Sequence, residues 1–256
     1  MEFTTQTESL PLVKTNMTPS DDHWFIIEGN IGSGKSTLCR MLRDECGEEI
    51  EVVLEPVDKW RNTKHDENGK NILECFYVDQ PRWSYSFQTY TFLTRMEDVM
   101  TRQSKPIRYI ERSIYTDKLV FARSLYHNGK MDSLEWNMYN RWFDWLSEEC
   151  FEKVNRPSGF IYIRANPETS YQRMLKRERS EEKCVPLDYL KIISDYHDEW
   201  LCREEQQDVL VIDVDADFEH NPEEWNRVKS LIDTFVQNKI RSNQQQQQEE
   251  EQQQEA

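Results

Sequence analysis

A glycine-rich run near the start of the chain has the spacing of a phosphate-binding loop. It reads G-x-x-x-x-G-K-S, between an apolar stretch at 24–28 and a stretch with helical spacing. Glycines let the backbone curl so that its N–H groups face an anion, with a lysine at the outer phosphates and a serine hydroxyl on Mg²⁺. The positive end of the following helix faces the same anion. We predict a nucleoside-triphosphate site formed by Gly29, Asn30, Ile31, Gly32, Ser33, Gly34, Lys35, Ser36 and Thr37.

Two acidic residues stand at the ends of other apolar stretches. Glu55 follows 51–54 and precedes a strand-stopping proline, and Glu111 follows 107–110 and precedes Arg112. Taken alone, Glu55 could be a surface residue at a turn and Glu111–Arg112 an ordinary ion pair. Beside a phosphate-binding loop, Glu55 suits a general base for an attacking hydroxyl, and Glu111 suits a Mg²⁺ ligand. Arg112 suits a cation that stabilises the transferring phosphoryl group.

The segment 167–179 is rich in arginine and begins with a proline suited to a first helical turn. Arg173 and Arg177 are four residues apart and share one helix face, and Arg179 lies at the end. Such charge runs are commonly solvated surface helices. Near a triphosphate, a basic segment can close and exclude water, and we interpret this one as an arginine-rich lid.

The elements that must position these residues alternate between strands and helices. Strand-length apolar runs occur at 24–28, 51–54, 107–110, 160–163 and 209–214. Helical patterns occur at 35–46, 83–103, 114–126, 133–150, 167–179, 187–206 and 222–239. This order predicts an α/β fold with a five-stranded parallel sheet flanked by helices, in which ligands bind beyond the carboxyl ends of the strands.

Composition limits the partners and the location. The net charge of −16 argues against non-specific binding to nucleic acid. No run has the roughly 18–20 apolar residues of a membrane span, and the first 20 residues resemble neither a secretory signal nor a transit peptide. The six cysteines show no C-x-x-C pairing, so we expect buried free thiols. We expect a cytoplasmic protein that binds neither nucleic acid nor membranes.

Both ends of the chain are polar. Residues 1–21 and the Gln/Glu-rich residues 241–256 cannot bury a core, so we expect both to be disordered around one folded domain at 22–240.

Six motifs resemble, in order and approximate spacing, those of the cellular deoxynucleoside kinases, and within them the deoxycytidine/deoxyguanosine kinase branch. They are the phosphate loop, Glu55-Pro-Val-x-x-Trp60, Trp83-Ser-Tyr-Ser-Phe87-Gln88-Thr-Tyr, Glu111-Arg-Ser-x-Tyr-x-Asp117, Arg173…Arg177-x-Arg179-x-x-Glu182 and Val214-x-Ala-Asp217-Phe218. The resemblance covers about 23–238. It implies a P-loop NTPase fold, a deoxynucleoside kinase domain at 22–240, and transfer of the γ-phosphate of ATP, with Mg²⁺, to a deoxynucleoside 5′-hydroxyl in nucleotide salvage.

The resemblance also implies individual roles. Glu55 would be the base for the 5′-hydroxyl with Arg112 beside it, and Ser36 and Glu111 would hold Mg²⁺. The donor nucleotide would be bound by the lid arginines Arg173, Arg177 and Arg179, and at its adenine by Asp217 and Phe218.

Other matching positions would bind the nucleoside. Tyr77 and Glu182 would bind the sugar 3′-hydroxyl, and Gln88 would pair with the nucleobase. The aromatic walls of this site would be Trp60, Phe87 and Phe121.

Two polar residues bear on the choice of base. Arg95 and Asp117 match the pair that reads the base edge in this branch, whereas the thymidine-using branch has apolar residues there. A carboxylate accepts from an exocyclic amine and an arginine donates to guanine O6 or N7, while thymine offers a carbonyl and a methyl group. We expect deoxyadenosine, deoxyguanosine or deoxycytidine as substrate, with a purine favoured because Thr91 leaves room, and thymidine to be poor.

Two alternatives stay open from the residues. A nucleoside monophosphate kinase would need further basic residues for the acceptor's phosphate. A non-catalytic nucleotide-binding switch would have no need of Glu55, Glu111 and Arg112. Large apolar residues along 83–103 and 133–150 predict a subunit interface. The resembled family is dimeric, so we expect a homodimer.

Overall fold

The computed structural model of the chain describes residues 22–64, 69–151, 156–182, 185–202 and 208–254. The N-terminal segment 1–21, expected to be disordered, lies outside these residues. Each end of the five predicted strands agrees with the structure to within one residue. The strands are His23–Glu28 (β1), Ile50–Val53 (β2), Ile107–Glu111 (β3), Gly159–Arg164 (β4) and Val209–Asp213 (β5).

The strands form one parallel sheet in the order β2-β3-β1-β4-β5. The predicted α/β fold with a five-stranded parallel sheet is thereby confirmed. Because all strands run the same way, the loops after β1, β2 and β3 meet at one edge of the sheet. Ile27 of β1 is paired with Glu111 of β3, so the acidic end of β3 lies beside the glycine-rich loop.

Helices pack on both faces of the sheet. They are Lys35–Cys46 (α1), Val57–Asn62 (α2), Ile72–Val78 (α3), Gln80–Met100 (α4), Ile114–Thr116 (α5), Arg123–His127 (α6), Ser133–Phe151 (α7), Pro167–Arg177 (α8), Leu187–Leu201 (α9) and Pro222–Gln254 (α10). A π-helical stretch, Asp117–Ala122, joins α5 to α6, and short 3₁₀ turns occupy Gly47–Glu49 and Ser180–Glu182.

Two short helices were not predicted from the sequence. Helices α2 and α3 have six and seven residues, too few to show a clear helical period. Helix α3 is stabilised at its start by a reciprocal cap: the Asn71 side chain accepts the Glu74 N–H, and the Glu74 carboxylate accepts the Asn71 N–H, both at 2.8 Å.

The C-terminal segment differs from the prediction. Residues 241–256 were expected to be disordered, but α10 continues to Gln254, and most of the described side chains there are exposed. Glutamine and glutamate are good helix formers, and no glycine or proline interrupts the run. The composition that cannot bury a core can therefore still extend an existing helix.

Two cores cover the two faces of the sheet. On β1, Trp24 and Ile26 face the core covered by α4 and α7, and Phe25 and Ile27 face the core covered by α1 and α10. This alternation is the period-2 pattern of a strand, and burial on both faces explains why β1 is apolar throughout its centre. The sheet is thus a rigid base whose carboxyl edge presents the polar loops.

The described cysteines only partly fit the expectation of buried thiols. Cys39 and Cys75 are buried, Cys46 is half-buried and Cys202 is exposed, and all four are free. Among the helices the structure describes, none has the length and apolarity needed to span a bilayer.

Candidate active site

A cavity of about 1090 Å³ lies at the carboxyl ends of β1, β2 and β3. It is lined by every residue predicted to contact nucleotide, nucleoside or metal except Gly29, Asn30 and Ser33, which are buried within the glycine-rich loop. The topology therefore brings together positions that span most of the chain. Its lining also includes residues that the sequence did not single out, among them Arg61, Phe76 and Tyr189.

The glycine-rich loop is shaped by its backbone. Gly32 and Gly34 have φ of +77° and +103°, in the region that favours glycine. A Cβ on Gly32 would lie 2.2 Å from the carbonyl oxygen of Ser170 in α8, so a side chain has no space there. The loop and the start of α1 therefore form a cradle that only this glycine pattern permits.

Lys35 lies at the first turn of α1 and folds back over the loop. Its Nζ donates to the carbonyl oxygens of Asn30 and Gly29, at 2.7 and 3.1 Å. Burial, aided by the nearby charge of Arg112, lowers the pKa of Lys35 to about 7. A triphosphate in the cradle would supply the negative charge that restores the ammonium form.

Glu111 connects the end of β3 to the loop and to β2. Its Oε1 accepts from the Ser36 hydroxyl at 2.7 Å, and its Oε2 accepts from the Glu55 N–H at 3.3 Å. A serine hydroxyl and a carboxylate are hard oxygen donors of the kind Mg²⁺ binds together with substrate phosphates. The described residues contain no group of three or more His, Cys, Asp or Glu suited to hold a metal. The donor set therefore fits an ion that shares its coordination with a nucleotide.

Glu55 follows β2 and lies between two arginines. Its Oε1 accepts from Arg95 Nη2 at 2.6 Å and forms an ion pair with Arg112, whose Nε lies 3.2 Å away. Burial alone would raise the pKa of Glu55, but the charges of Arg95 and Arg112 outweigh it and hold the pKa at about 2. The carboxylate is therefore ionised at neutral pH and able to accept a hydrogen bond.

Arg112 is held in an unusual backbone conformation. Its φ of +66° is one of two positive values among the described non-glycine residues, and such a residue costs about 1–2 kcal/mol. Its N–H donates to the Ile27 carbonyl at 3.0 Å, which ties the turn to β1. The guanidinium lies 5.0 Å from the Phe121 ring centre, and Nη1 is buried with no hydrogen-bond partner among the described residues. An unpartnered donor beside the phosphate loop fits an anionic ligand.

Arg95 joins Asp117 to Glu55. Its Nε donates to both Asp117 oxygens at 3.1 and 3.0 Å, and its Nη1 donates to the Glu111 carbonyl at 3.3 Å. Burial raises the pKa of Asp117, and the charge and hydrogen bonds of Arg95 oppose that rise. The sequence predicted the Arg95–Asp117 pair, but it gave no sign of the bond from Arg95 to Glu55.

Aromatic side chains form one wall of the cavity. Trp60 lies edge-on to Phe87 at 5.6 Å and donates its Nε1–H to Thr94 at 3.0 Å, and Phe76 stacks on Phe87 at 4.6 Å. The buried Oε1 of Gln88 has no described partner. Flat apolar surfaces beside an unpartnered amide suit a planar ring with polar edges. Phe76, missed from the sequence, lies next to Tyr77 on the unpredicted helix α3.

The lid arginines have two different environments. Arg177 Nη2 donates to both Glu182 oxygens at 2.7 and 2.6 Å, and Arg179 Nη1 lies 3.4 Å from Glu182 Oε1. Arg173 instead donates to the carbonyls of Val214 at 2.8 Å and of Asp215 at 3.1 Å. Arg173, which was predicted as a phosphate contact and lines the cavity, therefore also connects α8 to the loop after β5.

The loop after β5 carries Asp217 and Phe218, the two residues predicted to bind the adenine. The exposed Asp217 accepts the N–H groups of Glu219 and His220, at 3.0 and 3.2 Å, and so closes a turn. Phe218 is buried, and a Cβ on Gly34 would lie 3.0 Å from its ring. Both residues line the cavity, but their described contacts support the loop and the cradle.

The glycine-rich loop connects a strand of the parallel sheet to a helix, and Glu55 lies beside it, paired with Arg95 and Arg112. This combination defines a P-loop phosphotransferase. A family model described as deoxynucleoside kinase matches residues 25–237. The chain belongs to the deoxynucleoside kinase family, and its activity is that of an ATP-dependent deoxynucleoside kinase acting in nucleotide salvage. The resemblance seen in the sequence is confirmed, and the two alternatives left open there are set aside.

Named relatives agree with the family. The chain is 37% identical over 217 residues to a probable deoxycytidine kinase of Fowlpox virus (strain NVSL), covering 82% of this chain and 86% of the relative. It is 35% identical to the deoxycytidine kinase of Homo sapiens over 81% of this chain and 90% of the relative. It is 36% identical to the mitochondrial thymidine kinase 2 of Homo sapiens over 84% and 76%. Because these identities are nearly equal, the choice of base must be argued from the site.

Proposed function

We propose that this kinase phosphorylates the 5′-hydroxyl of deoxyadenosine, deoxyguanosine or deoxycytidine, with a purine favoured. The observation that carries the proposal is the buried pair of Arg95 and Asp117 on the cavity wall, with the aromatic ring of Phe87 beside the same cavity. A charged donor and acceptor suit bases with an exocyclic amine or with guanine O6 and N7. Thymine would leave these buried groups poorly paired, at a cost on the order of 1–3 kcal/mol.

We propose that Glu55 receives the proton of the 5′-hydroxyl as its oxygen attacks. The bond from O5′ to the γ-phosphorus forms while the bond from that phosphorus to the ADP oxygen breaks. A carboxylate whose pKa is about 2 is a weak base, so its main contribution is to orient the hydroxyl and accept the proton late. Arg112, whose Nη1 is buried and unpartnered, would stabilise the charge on the transferring group.

For the donor nucleotide, we propose that the backbone of residues 29–37 binds the phosphates and that Lys35 reaches the outer ones. Arg177 and Arg179 line the same cavity and would leave Glu182 for the phosphates as the lid closes. Ser36 and Glu111 would hold Mg²⁺, which supplies charge neutralisation when bound. Arg173 would bind the phosphates with the other lid arginines, and Asp217 and Phe218, which line the same cavity, would bind the adenine.

For the sugar, we propose that Tyr77 and Glu182 bind the 3′-hydroxyl. Both line the cavity, and the Glu182 carboxylate accepts hydrogen bonds from the lid residue Arg177. Gln88 would pair with the base through its amide, and Phe121 and Trp60 would complete the apolar walls. The deoxyribose would then lie between Glu55 and Glu182.

We also propose a homodimer formed through α4 and α7. On α7, Leu134, Met138, Trp142 and Trp145 follow helical spacing along one face, and each is 44–67% exposed. An apolar stripe of this size suits a subunit interface. Sedimentation at micromolar concentration should give the dimer mass, and Trp142→Glu should shift it toward the monomer. The free buried thiols support a reducing, cytoplasmic location, which subcellular fractionation would test.

The test of the proposed specificity is a kinetic panel of the four deoxynucleosides with ATP and Mg²⁺. We expect kcat/KM for thymidine to be at least about tenfold below the best of the other three, as the buried polar pair requires. The corresponding monophosphates should not be phosphorylated at a comparable rate. Thymidine as the best substrate would contradict the role given to Arg95 and Asp117.

A further inference from the structure

An ion pair joins the unpredicted helix α2 to the end of the lid. Arg61 Nε donates to Glu181 Oε1 at 2.6 Å, and Arg61 Nη2 donates to Oε2 at 3.3 Å. The two residues are 120 positions apart in the chain. The Glu181 side chain is only 5% exposed and that of Arg61 is 36% exposed. A forked guanidinium–carboxylate contact fixes orientation as well as distance.

The two elements that this pair connects both border the nucleoside side of the cavity, which is the part lined by Glu55, Trp60 and Glu182. Helix α2 begins two residues after Glu55 and carries Trp60 of the aromatic wall. Glu181 lies in the turn Ser180–Glu182, directly before Glu182, which lines the cavity. The position of the Glu182 carboxylate relative to the aromatic wall is therefore set in part through Arg61.

A second ion pair on α2 provides a contrast. Lys59 Nζ lies 3.0 Å from carboxylate oxygens of both Glu97 and Asp98. These partners belong to α4, so this contact holds α2 against the body of the protein and does not reach the lid. The two cations are two residues apart on one short helix, and they differ in what they connect.

We infer that Arg61 is a positioning residue for recognition of the sugar 3′-hydroxyl, acting through Glu181 on Glu182. This rests on the proposed assignment of Glu182 to that hydroxyl. Without Arg61, the Glu181 carboxylate loses the forked contact that fixes its orientation, and the adjacent Glu182 is then held less precisely. The preference for a substrate that carries a 3′-hydroxyl is then weakened.

The experiment compares kcat/KM for a 2′-deoxynucleoside and for its 2′,3′-dideoxy counterpart, at saturating ATP and Mg²⁺. The proteins are the wild type, Arg61→Gln, Glu181→Gln, the double variant and the matched control Lys59→Gln. In Arg61→Gln we expect kcat/KM for the deoxynucleoside to fall about tenfold, mostly through KM, because one partner of a largely buried pair is removed. The dideoxynucleoside should change by no more than about twofold, and KM for ATP should stay within about twofold.

The ratio of the two substrates should therefore shrink in Arg61→Gln and in Glu181→Gln, and the double variant should be no worse than either single one, as for two residues that act as a unit. Lys59→Gln should keep the wild-type ratio. An unchanged ratio in Arg61→Gln would overturn the inference, as would equal losses for both substrates. A wild-type enzyme that does not prefer the 3′-hydroxyl at all would instead overturn the assignment of Glu182, and the inference with it.

Discussion

The phosphate cradle and the nucleoside side of the cavity are built by different means. The cradle is made of backbone: Gly32 and Gly34 adopt conformations open to glycine, and even Lys35 bonds to loop carbonyls. The nucleoside side is made of side-chain charges, in which Arg95 and Arg112 share the Glu55 carboxylate. The first depends on nine consecutive residues, and the second on contacts between distant elements.

This difference separates the two tasks of the enzyme. A backbone cradle binds an anion without reading what is attached to it, because N–H groups and a helix end recognise only charge and shape. A network of charged side chains can distinguish a base edge and can keep a carboxylate ionised. Changes on one side should therefore spare the function of the other.

The largest expected effect comes from Glu55→Gln, on the nucleoside side of the cavity. The amide has nearly the same shape but cannot take the hydroxyl proton, so kcat should fall at least about 10²-fold, a typical general-base contribution. ATP affinity, measured by calorimetry, should stay within about twofold because the cradle is untouched. Glu51→Gln, which alters a carboxylate of β2 paired with Arg108 of the neighbouring strand β3, is the control and should keep its turnover. Turnover near the wild-type value in Glu55→Gln would remove Glu55 from the mechanism.

The reciprocal change is Gly32→Ala, in the phosphate cradle. The added Cβ would meet the Ser170 carbonyl at 2.2 Å, at a φ of +77°. We expect the free energy of unfolding to fall by about 2–3 kcal/mol and ATP affinity to fall more than about tenfold. Nucleoside binding should be retained.

The control for that change is Gly47→Ala, at a φ of +55° with no atom within 4 Å of the new Cβ. It should cost about 1–3 kcal/mol of stability, because its ψ of −119° lies outside the left-handed region that other residues adopt, and it should leave ATP affinity unchanged. Denaturant unfolding and nucleotide titration of both variants would measure the difference. Equal losses of ATP affinity in the two variants would mean that the close approach of α8 does not shape the cradle.

The same contrast explains what the sequence could predict. The five strands and the glycine loop depend on local patterns, so they were predicted to within one residue at each strand end. Helices α2 and α3 are too short to carry a period, and the helical course of 241–254 was missed because low complexity was taken as disorder.

Side-chain partnerships could be predicted only in part. The Arg95–Asp117 pair was expected from the resemblance, but the bond from Arg95 to Glu55 and the Arg61–Glu181 pair join residues 40 and 120 positions apart. Such contacts depend on how the elements pack, and no local pattern in a single sequence encodes them. The buried position of Phe218 beneath Gly34 could not be predicted for the same reason.

A smaller effect is expected for Asp117→Asn, which tests whether the charged pair reads the base. The amide keeps the size of the side chain but removes the negative partner of Arg95. Discrimination against thymidine is kcat/KM for the best substrate divided by kcat/KM for thymidine. We expect this ratio to fall by about tenfold. An unchanged ratio would show that the base is read elsewhere in the cavity.

The smallest predicted effect is a proton taken up with the nucleotide. Burial lowers the pKa of Lys35 to about 7, so at pH 8 the amine is mostly neutral. The triphosphate raises this pKa, so binding at pH 8 should take up close to one proton, and binding at pH 6 should take up little through this group. Calorimetry in two buffers of different ionisation enthalpy measures the uptake. Lys35→Arg, whose side chain stays charged, should lose it, and equal uptake by both proteins would refute the role of Lys35.

The proposed phosphoryl transfer depends most directly on the position of Glu55 between the nucleoside and the phosphate cradle. A crystal structure with a deoxynucleoside and a non-hydrolysable ATP analogue would measure the distance from the Glu55 carboxylate to the nucleoside O5′. We predict about 2.6–3.2 Å, the reach of a direct proton transfer, with the γ-phosphorus on the opposite side of O5′. A carboxylate turned away from O5′, with the lid closed and the analogue in the cradle, would contradict it.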